Sequence, residues 1–369
     1  MKNLALKKCL ESLKFRDNYA YDIQLIDAIF DEISNFIPAS ERSEFNEGLV
    51  KGLTLLGQTA FADVNPSTQR VNIPYEKFRQ CEDGSGVHLE LGSYIRFPDD
   101  IATQYVKNNN LGDIIRLDMQ ANFLPDVVAS VTALPFADES IDRISSNSLM
   151  EHCPYPHEIL KEAFRVLRPG GCILTTVPFH FVEHGCPKDY LRFTGQFFED
   201  VCTDIGFSEV YTDTKATSGI FYNTHQTLKA GVMNESAPLG KELAIIHTAV
   251  MAVMAGLQGF DNKFHAHGTS LWTSTFSLAV KPGPYERRNE VFDRTLPFYK
   301  RFAKYLICPK SGLPVKAFGN LLVSLDGKYR YIVENDIPNM FLLHGFSSGM
   351  NVRETSKAAV LRWEASTAG

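Results

Sequence analysis

Apolar and polar positions along the chain follow two different periods. Before about residue 80 the spacing is helical: in "YDIQLIDAIFDEISNFI", Ile23, Ile26, Ile29, Phe30 and Ile33 fall on one stripe. From Val87 onward, short β-branched runs ("VHLEL", "DIIRLD", "DVVAS", "IDRISS", "CILTTVP") alternate with amphipathic segments, the clearest being "PHEILKEAFRVL". Alternation of this kind requires crossover connections, so an α/β fold with a mostly parallel sheet and helices on both faces is expected. "FSEVYTD" and "LWTSTFSLAVKPG" supply two late strands around the apolar run Leu243 to Leu257, which is expected to be a buried or partner-facing helix. A helix through "FDRTLPFYKRFAKYL" then precedes a small β-rich unit. The expected organisation is a helical cap over residues 1–80, an α/β domain over 81–283, a linker helix over 284–306, a β-rich module over 307–345 and a tail over 346–369.

Composition narrows the classes. The chain has 369 residues, 44% hydrophobic and 22% charged, as in an ordinary globular protein with a sizeable core. A formal net charge of -6 without a Lys/Arg run argues against nucleic acid and favours small or neutral substrates. Seven cysteines, none spaced CxxC, suggest reduced thiols and a cytoplasmic setting. The amino terminus does not read as a signal peptide, and the longest apolar run is too short to span a bilayer, so no membrane association is expected. A homodimer is compatible with these features.

Ligands of an open parallel sheet sit beyond the carboxyl ends of its strands, so the residues following each strand are the candidates. Asp118 ends the second run, where a carboxylate can accept both hydroxyls of a ribose or simply cap the next turn. Ser130, Val131 and Thr132 follow the third, either bordering an adenine edge or forming a polar turn. Glu151 and His152 follow the fourth. In "EAFRVLRPGG", Gly170 and Gly171 allow positive φ in the turn that starts the fifth strand.

"ALPFADESIDRISSNSLMEH" followed by "EAFRVLRPGG" resembles the class I S-adenosyl-L-methionine (SAM)-dependent methyltransferases, over roughly Val87 to Gly283. "VPFHFVEHGCPKDYLRFT" is similar to a branch of that family in which the fifth strand is followed by a His, then Pro, Asp, Tyr and Arg-Phe-Thr. The resemblance implies a Rossmann-like fold and SAM as cofactor, bound through Glu90, Gly92, Ser93, Tyr94, Asp118, Ser130, Val131 and Asn147. It also implies an acceptor site near His152, His180, His184, Asp189, Tyr190 and Arg192. His184 is the favoured general base near neutral pH, with His180 as its alternative, and Arg192 either clamps a substrate carboxylate or pairs with Asp189. The family's first loop carries a second Gly where this chain has Tyr94, so either the loop is rerouted or SAM binding is weakened.

The expected activity is methyl transfer to an O, N or carboxylate acceptor on a small molecule. A catalytically silent binding or scaffold protein, or SAM-dependent non-methyl chemistry, are the alternatives. "YLICPKSGLPVKAFGNLLVSLDGKYRYIVENDIPNMF" resembles a small zinc-ribbon-derived module that accompanies or activates many methyltransferases. Cys308 stands alone in it, so the metal-free version is expected. His265 and His267 form an isolated pair, and no metal site is expected.

Overall fold

The computed structural model describes residues 72–80, 86–93, 101–185, 188–214, 274–286, 288 and 292–341, with short pieces at 31, 39–40, 42–43, 46–47 and 223–224. Tyr94, the apolar run 243–257, the His265/His267 pair and the helical stripe of residues 23–33 (Asp31, between its apolar positions, apart) lie outside the described residues. The chain divides into two compact units. One comprises Ile73–Val177, Cys186–Asp213 and Phe276–Gly369; the other comprises Met1–Asn72, Pro178–Gly185 and Thr214–Thr275.

The first unit is organised on an α/β sheet. Its elements in chain order are helix α1 (Ile73–Gln80), β1 (Val87–Leu91), α2 (Ile101–Asn108), β2 (Asp113–Asp118), β3 (Val127–Val128), β4 (Ile141–Asn147), α3 (Pro156–Val166) and β5 (Leu167–Pro178). There follow α4 (Gly195–Ile205), β6 (Glu209–Asp213), β7 (Ser274–Val280), α5 (Phe298–Arg301), β8 (Val315–Phe318), β9 (Leu321–Ser324), β10 (Arg330–Glu334) and β11 (Ile337–Asn339). The strands lie in the order β6-β7-β5-β4-β1-β2-β3-β11-β10-β9-β8. β1 is parallel to both of its neighbours, β2 and β4, and every one of its residues is buried. "VHLEL" alternates apolar and polar residues, yet His88 and Glu90 are buried with the rest, and His88 Nε2 bonds to the Thr103 and Ser145 hydroxyls at 2.9 and 3.0 Å. Leu89, Leu91, Ile115, Leu117 and Ile144 form the centre of the core, each at 1% exposure or less. Burying each such side chain contributes about 1.5–3 kcal/mol.

α3 starts at Pro156 in its first turn, where a missing N–H costs nothing, and buries Ile159, Leu160, Ala163 and Val166 at helical spacing. α1 also belongs to this unit: Phe78 is fully buried, and the Ile73 N–H donates to Asp213 Oδ2 at 3.2 Å. The cap expected over 1–80 therefore contributes its last helix to the sheet.

Two local expectations change. Of the two glycines before the fifth strand's apolar stretch, only Gly170 has positive φ, at +75°. Gly171 is needed for a different reason, since a Cβ there would stand 2.7 Å from the Asp142 carbonyl oxygen. The linker helix is confined, over its described part, to α5 and a short 3-10 turn, Ala303–Tyr305. Asp293 is the physical reason: its carboxylate accepts from the Thr295 N–H and hydroxyl, which closes a turn, and Pro297 then sits as the N-cap of α5.

β8 to β11 form an antiparallel set that continues the same sheet. β11 joins it by parallel pairing with β3, Asn339 opposite Val128. The Cys308 thiol is buried, 2.9 Å from the Tyr331 hydroxyl, and accepts from the Ser311 N–H.

Candidate active site

The central strands run parallel, so the ends of β1, β2, β3 and β4 fall at one edge of the sheet. Gly92, directly after β1, has φ of +77°. Its N–H and that of Ser93 both donate to the Leu117 carbonyl, at 2.9 and 3.2 Å. The positive φ disfavours any residue with a side chain, and a Cβ at Gly92 would also press on Leu149, 3.0 Å from its Cδ1. Glu90 is buried opposite Arg116 in the ladder, with the guanidinium Nε 3.8 Å from its carboxylate.

Asp118 closes β2 with its carboxylate buried and its Oδ1 accepting from the Gln120 N–H at 2.8 Å. Burial raises its pKa to about 6, against the pull of that backbone bond. After β3, residues 130–133 form a half-buried turn between two fully buried flanks. The Ser130 and Thr132 hydroxyls bond to each other at 2.8 Å, and the Ala133 N–H donates to the Ser130 carbonyl. The two hydroxyls are thus engaged with each other across the turn. Arg165 of α3 braces the far flank by donating to the Phe136 and Leu134 carbonyls, at 2.7 and 3.0 Å. Asn147 ends β4 exposed.

Beyond β4 a 3-10 turn, Met150–His152, meets the segment Lys188–Arg192. The Tyr190 N–H donates to the Glu151 carbonyl at 2.8 Å, and His152 Nδ1 lies 2.7 Å from the Lys188 carbonyl. A carbonyl only accepts, so Nδ1 carries the hydrogen and the neutral ring keeps its lone pair on Nε2. Nε2 is 3.7 Å from Glu151 Oε1.

Glu151 is fully buried, and among the described residues neither carboxylate oxygen finds a side-chain hydrogen-bond donor. Burial raises its pKa to about 7; nearby Asp189 pushes it further up and Arg192 opposes. Buried Asp142 offers a contrast, for it accepts from Arg168, Arg288 and the Val87 N–H. Arg192 donates to both Asp189 oxygens, at 2.5 and 2.7 Å, and its side chain keeps 25% exposure. Tyr190 is exposed.

His180 and His184 fall in the other compact unit. There His184 Nδ1 lies 3.1 Å from the Val182 carbonyl, and its ring stands edge-on to Phe181. Sequence reasoning did not single out Leu149, which shapes the Gly92 turn, or the contacts that residues 305–307 and 339–340 make around the 130–133 turn; neither carries a motif. Glu151 was legible by position, but not by its burial without a side-chain donor.

Residues 100–175 match the methyltransferase domain family model. A malonyl-[acyl-carrier protein] O-methyltransferase of Coxiella burnetii is 32% identical over 111 residues, covering 28% of this chain and 39% of its own. An uncharacterized methyltransferase of Mycobacterium avium is 51% identical over 45 residues, 12% of this chain and 18% of its own. The chain thus spans well under half the length of these relatives. Among solved structures, a phosphoethanolamine N-methyltransferase 2 of Haemonchus contortus in complex with SAM aligns at a TM-score of 0.37 and 17% identity, over 68% of this chain and 60% of that one. Residues 100–175 are therefore similar to the methyltransferase domain family, and in this chain they lie within a Rossmann-like α/β sheet.

Proposed function

We propose that the chain is a SAM-dependent methyltransferase acting on an oxygen, nitrogen or carboxylate acceptor of a small molecule. The observation that carries the reading is the grouping, at one sheet edge, of a side-chain-free turn at Gly92 with the buried acid Asp118 and the half-buried turn after β3. A glycine that leaves room for a methionine moiety, a carboxylate that accepts ribose hydroxyls and a turn that borders an adenine suit SAM. Glu90, Ser93, Val131 and Asn147 complete the cofactor-side set of this reading.

SAM supplies an electrophilic methyl group. The chain's own contribution is to hold the acceptor in line in a dry setting and to take its proton when it has one to lose. His152 is the proposed proton acceptor. With its Nδ1 hydrogen committed to the Lys188 carbonyl, a proton leaving a hydroxyl or ammonium acceptor goes to Nε2, and the Glu151 carboxylate offsets the imidazolium charge. A carboxylate acceptor needs no such base; it stays among the candidates because the Coxiella relative is named an O-methyltransferase of a malonyl carrier. Asp189 and Arg192 hold the 188–192 segment in this reading, and Tyr190 faces the solvent from it.

Calorimetric titration with SAM and with S-adenosylhomocysteine tests the cofactor. Micromolar affinity is expected; no heat at millimolar ligand ends the proposal and leaves the scaffold reading. With an acceptor in hand, His152→Ala should lower turnover by about a hundredfold or more at unchanged SAM affinity. His180→Ala and His184→Ala in the same assay rank the other two histidines, and a larger loss in either displaces His152.

A further inference from the structure

The three acceptor classes differ in the hydrogens and the charge they bring, and the side chains beyond β4 sort them. Glu151 is fully buried, and among the described residues its carboxylate oxygens find no side-chain donor. His152 Nε2 stands 3.7 Å from Glu151 Oε1, and with Nδ1 donating to the Lys188 carbonyl, Nε2 is an acceptor too. Asp189, the neighbouring acid, is served by Arg192, whose Nη1 and Nη2 donate to it and whose Nη1 also donates to the Leu191 carbonyl. Two adjacent acceptors therefore share one place, and of the pair only His152 keeps any exposure, 9% of its side chain. A buried carboxylate left in that state costs stability unless a ligand supplies the missing donors.

We propose that the acceptor is a primary or secondary ammonium that bridges Glu151 and His152, and that Glu151 is the residue that selects it. The proposal rests on the methyltransferase reading, with His152 as proton acceptor. One nitrogen can stand within hydrogen-bond distance of two atoms 3.7 Å apart, giving one N–H to Nε2 and another to Oε1. The first hydrogen passes to Nε2 as a proton and leaves a lone pair on the nitrogen. That pair forms the bond to the methyl carbon while the carbon–sulfur bond breaks and its electrons stay on sulfur. Sulfur ends neutral, the product is again an ammonium, and His152 returns its proton to water. Glu151 holds the second N–H throughout and balances the positive charge that the nitrogen carries before and after transfer. A hydroxyl has a single hydrogen, and once Nε2 takes it none is left for Glu151. A carboxylate has none at neutral pH and would set a third negative charge beside Glu151 and Asp189, against Arg192. A tertiary ammonium also has a single N–H, so methylation of a primary amine should stop at the tertiary stage.

The test uses the full-length protein saturated with S-adenosylhomocysteine and three probes of one shape: butylamine, butan-1-ol and butanoate. Calorimetric titration should show butylamine binding about tenfold or more tighter than butan-1-ol, and no binding of butanoate. Glu151→Gln, checked for folding by circular dichroism, should lower butylamine affinity about tenfold or more and thereby erase the preference over butan-1-ol, because only the ammonium uses the charge. With SAM in place of its product, mass spectrometry should find butylamine converted to the mono- and dimethylated amines without the quaternary one. The wild-type measurements need no variant and stand even if Glu151→Gln fails to fold. Wild-type protein that binds S-adenosylhomocysteine but not butylamine at millimolar concentration, or that binds butanoate as tightly, would overturn the ammonium assignment while leaving the methyltransferase proposal intact. A quaternary product, or butylamine affinity in folded Glu151→Gln within about twofold of wild type, would do the same. No binding of S-adenosylhomocysteine by the wild-type protein would overturn both.

Discussion

Replacing Asp118 with asparagine should make the protein more stable and the cofactor bind worse. The carboxyl is 8% exposed, and burial raises its pKa from 3.8 to about 6. The folded state therefore holds this proton more tightly than the unfolded chain. Above pH 6 the folded protein carries a charge whose desolvation is incompletely compensated, and stability recovers as the pH falls from about 6 towards 3.8. At neutral pH the cost is on the order of 3 kcal/mol. Asparagine keeps an oxygen that can accept from the Gln120 N–H and removes the charge, so urea unfolding of the ligand-free variant at pH 7.5 should show a gain of about 1–3 kcal/mol. An amide can accept only on its oxygen and turns its NH2 towards the second ribose hydroxyl, so S-adenosylhomocysteine affinity should fall about tenfold or more. A variant that is less stable, or that binds as tightly as wild type, refutes the assignment of Asp118 as a carboxylate kept charged for its ligand.

The same carboxyl predicts that wild-type affinity for S-adenosylhomocysteine weakens about tenfold between pH 7.5 and pH 5, one proton titrating near pH 6, and that the asparagine variant shows no such slope. Glu151→Gln should be more stable than wild type at pH 8, because a carboxyl with a pKa near 7 and no side-chain hydrogen-bond donor is charged there. The advantage should narrow by about 1.4 kcal/mol by pH 6, and parallel unfolding curves at the two pH values check it. Gly170→Ala should cost clearly more than Gly327→Ala. Both have positive φ, worth about 1–2 kcal/mol for a side chain, but only at Gly170 does a Cβ meet backbone, 2.5 Å from the Tyr285 nitrogen. Equal losses would contradict the packing described for the turn into β5. Arg192→Ala, which strands the Asp189 carboxylate at 3% exposure, should destabilise by about 3–5 kcal/mol in chemical denaturation, whereas an open substrate clamp would leave stability unchanged.

The strands were legible where side chains alone decide them. "VHLEL", "DIIRLD" and "IDRISS" each became a strand within a residue of the run, because β-branched residues with apolar environments on both faces have few other solutions. "DVVAS" yielded only Val127–Val128, since its pairing ends at the turn that Ser130 and Thr132 close with their own hydroxyls. "FDRTLPFYKRFAKYL" shows helical spacing, yet the Asp293 side chain outcompetes the first turn, a local contest that periodicity does not register. At the site, Gly92 and Asp118 could be found because the chemistry demands those residue types at strand ends. The state of Glu151 could not, because it depends on what lies around the carboxyl after folding. The contacts around the 130–133 turn were beyond reach for a similar reason: backbone hydrogen bonds between distant segments leave no signature in residue identity.

The meeting of β3 and β11 also bears on how the molecule is made. Val128 waits for a partner about 210 residues further along the chain, and the four strands that complete the parallel core with it, β1, β2, β4 and β5, emerge earlier or in between. During synthesis, then, once β5 has emerged the nascent sheet presents an open edge at β3 until the last strands are translated. Closing so long a loop is slow and entropically costly. Until it closes, unpaired N–H and C=O groups invite any passing strand, including β3 of a second nascent copy. A ribosome stalled or a message truncated shortly before residue 337 would therefore release a species with its core largely built and its edge uncapped, the form of this protein most prone to aggregate.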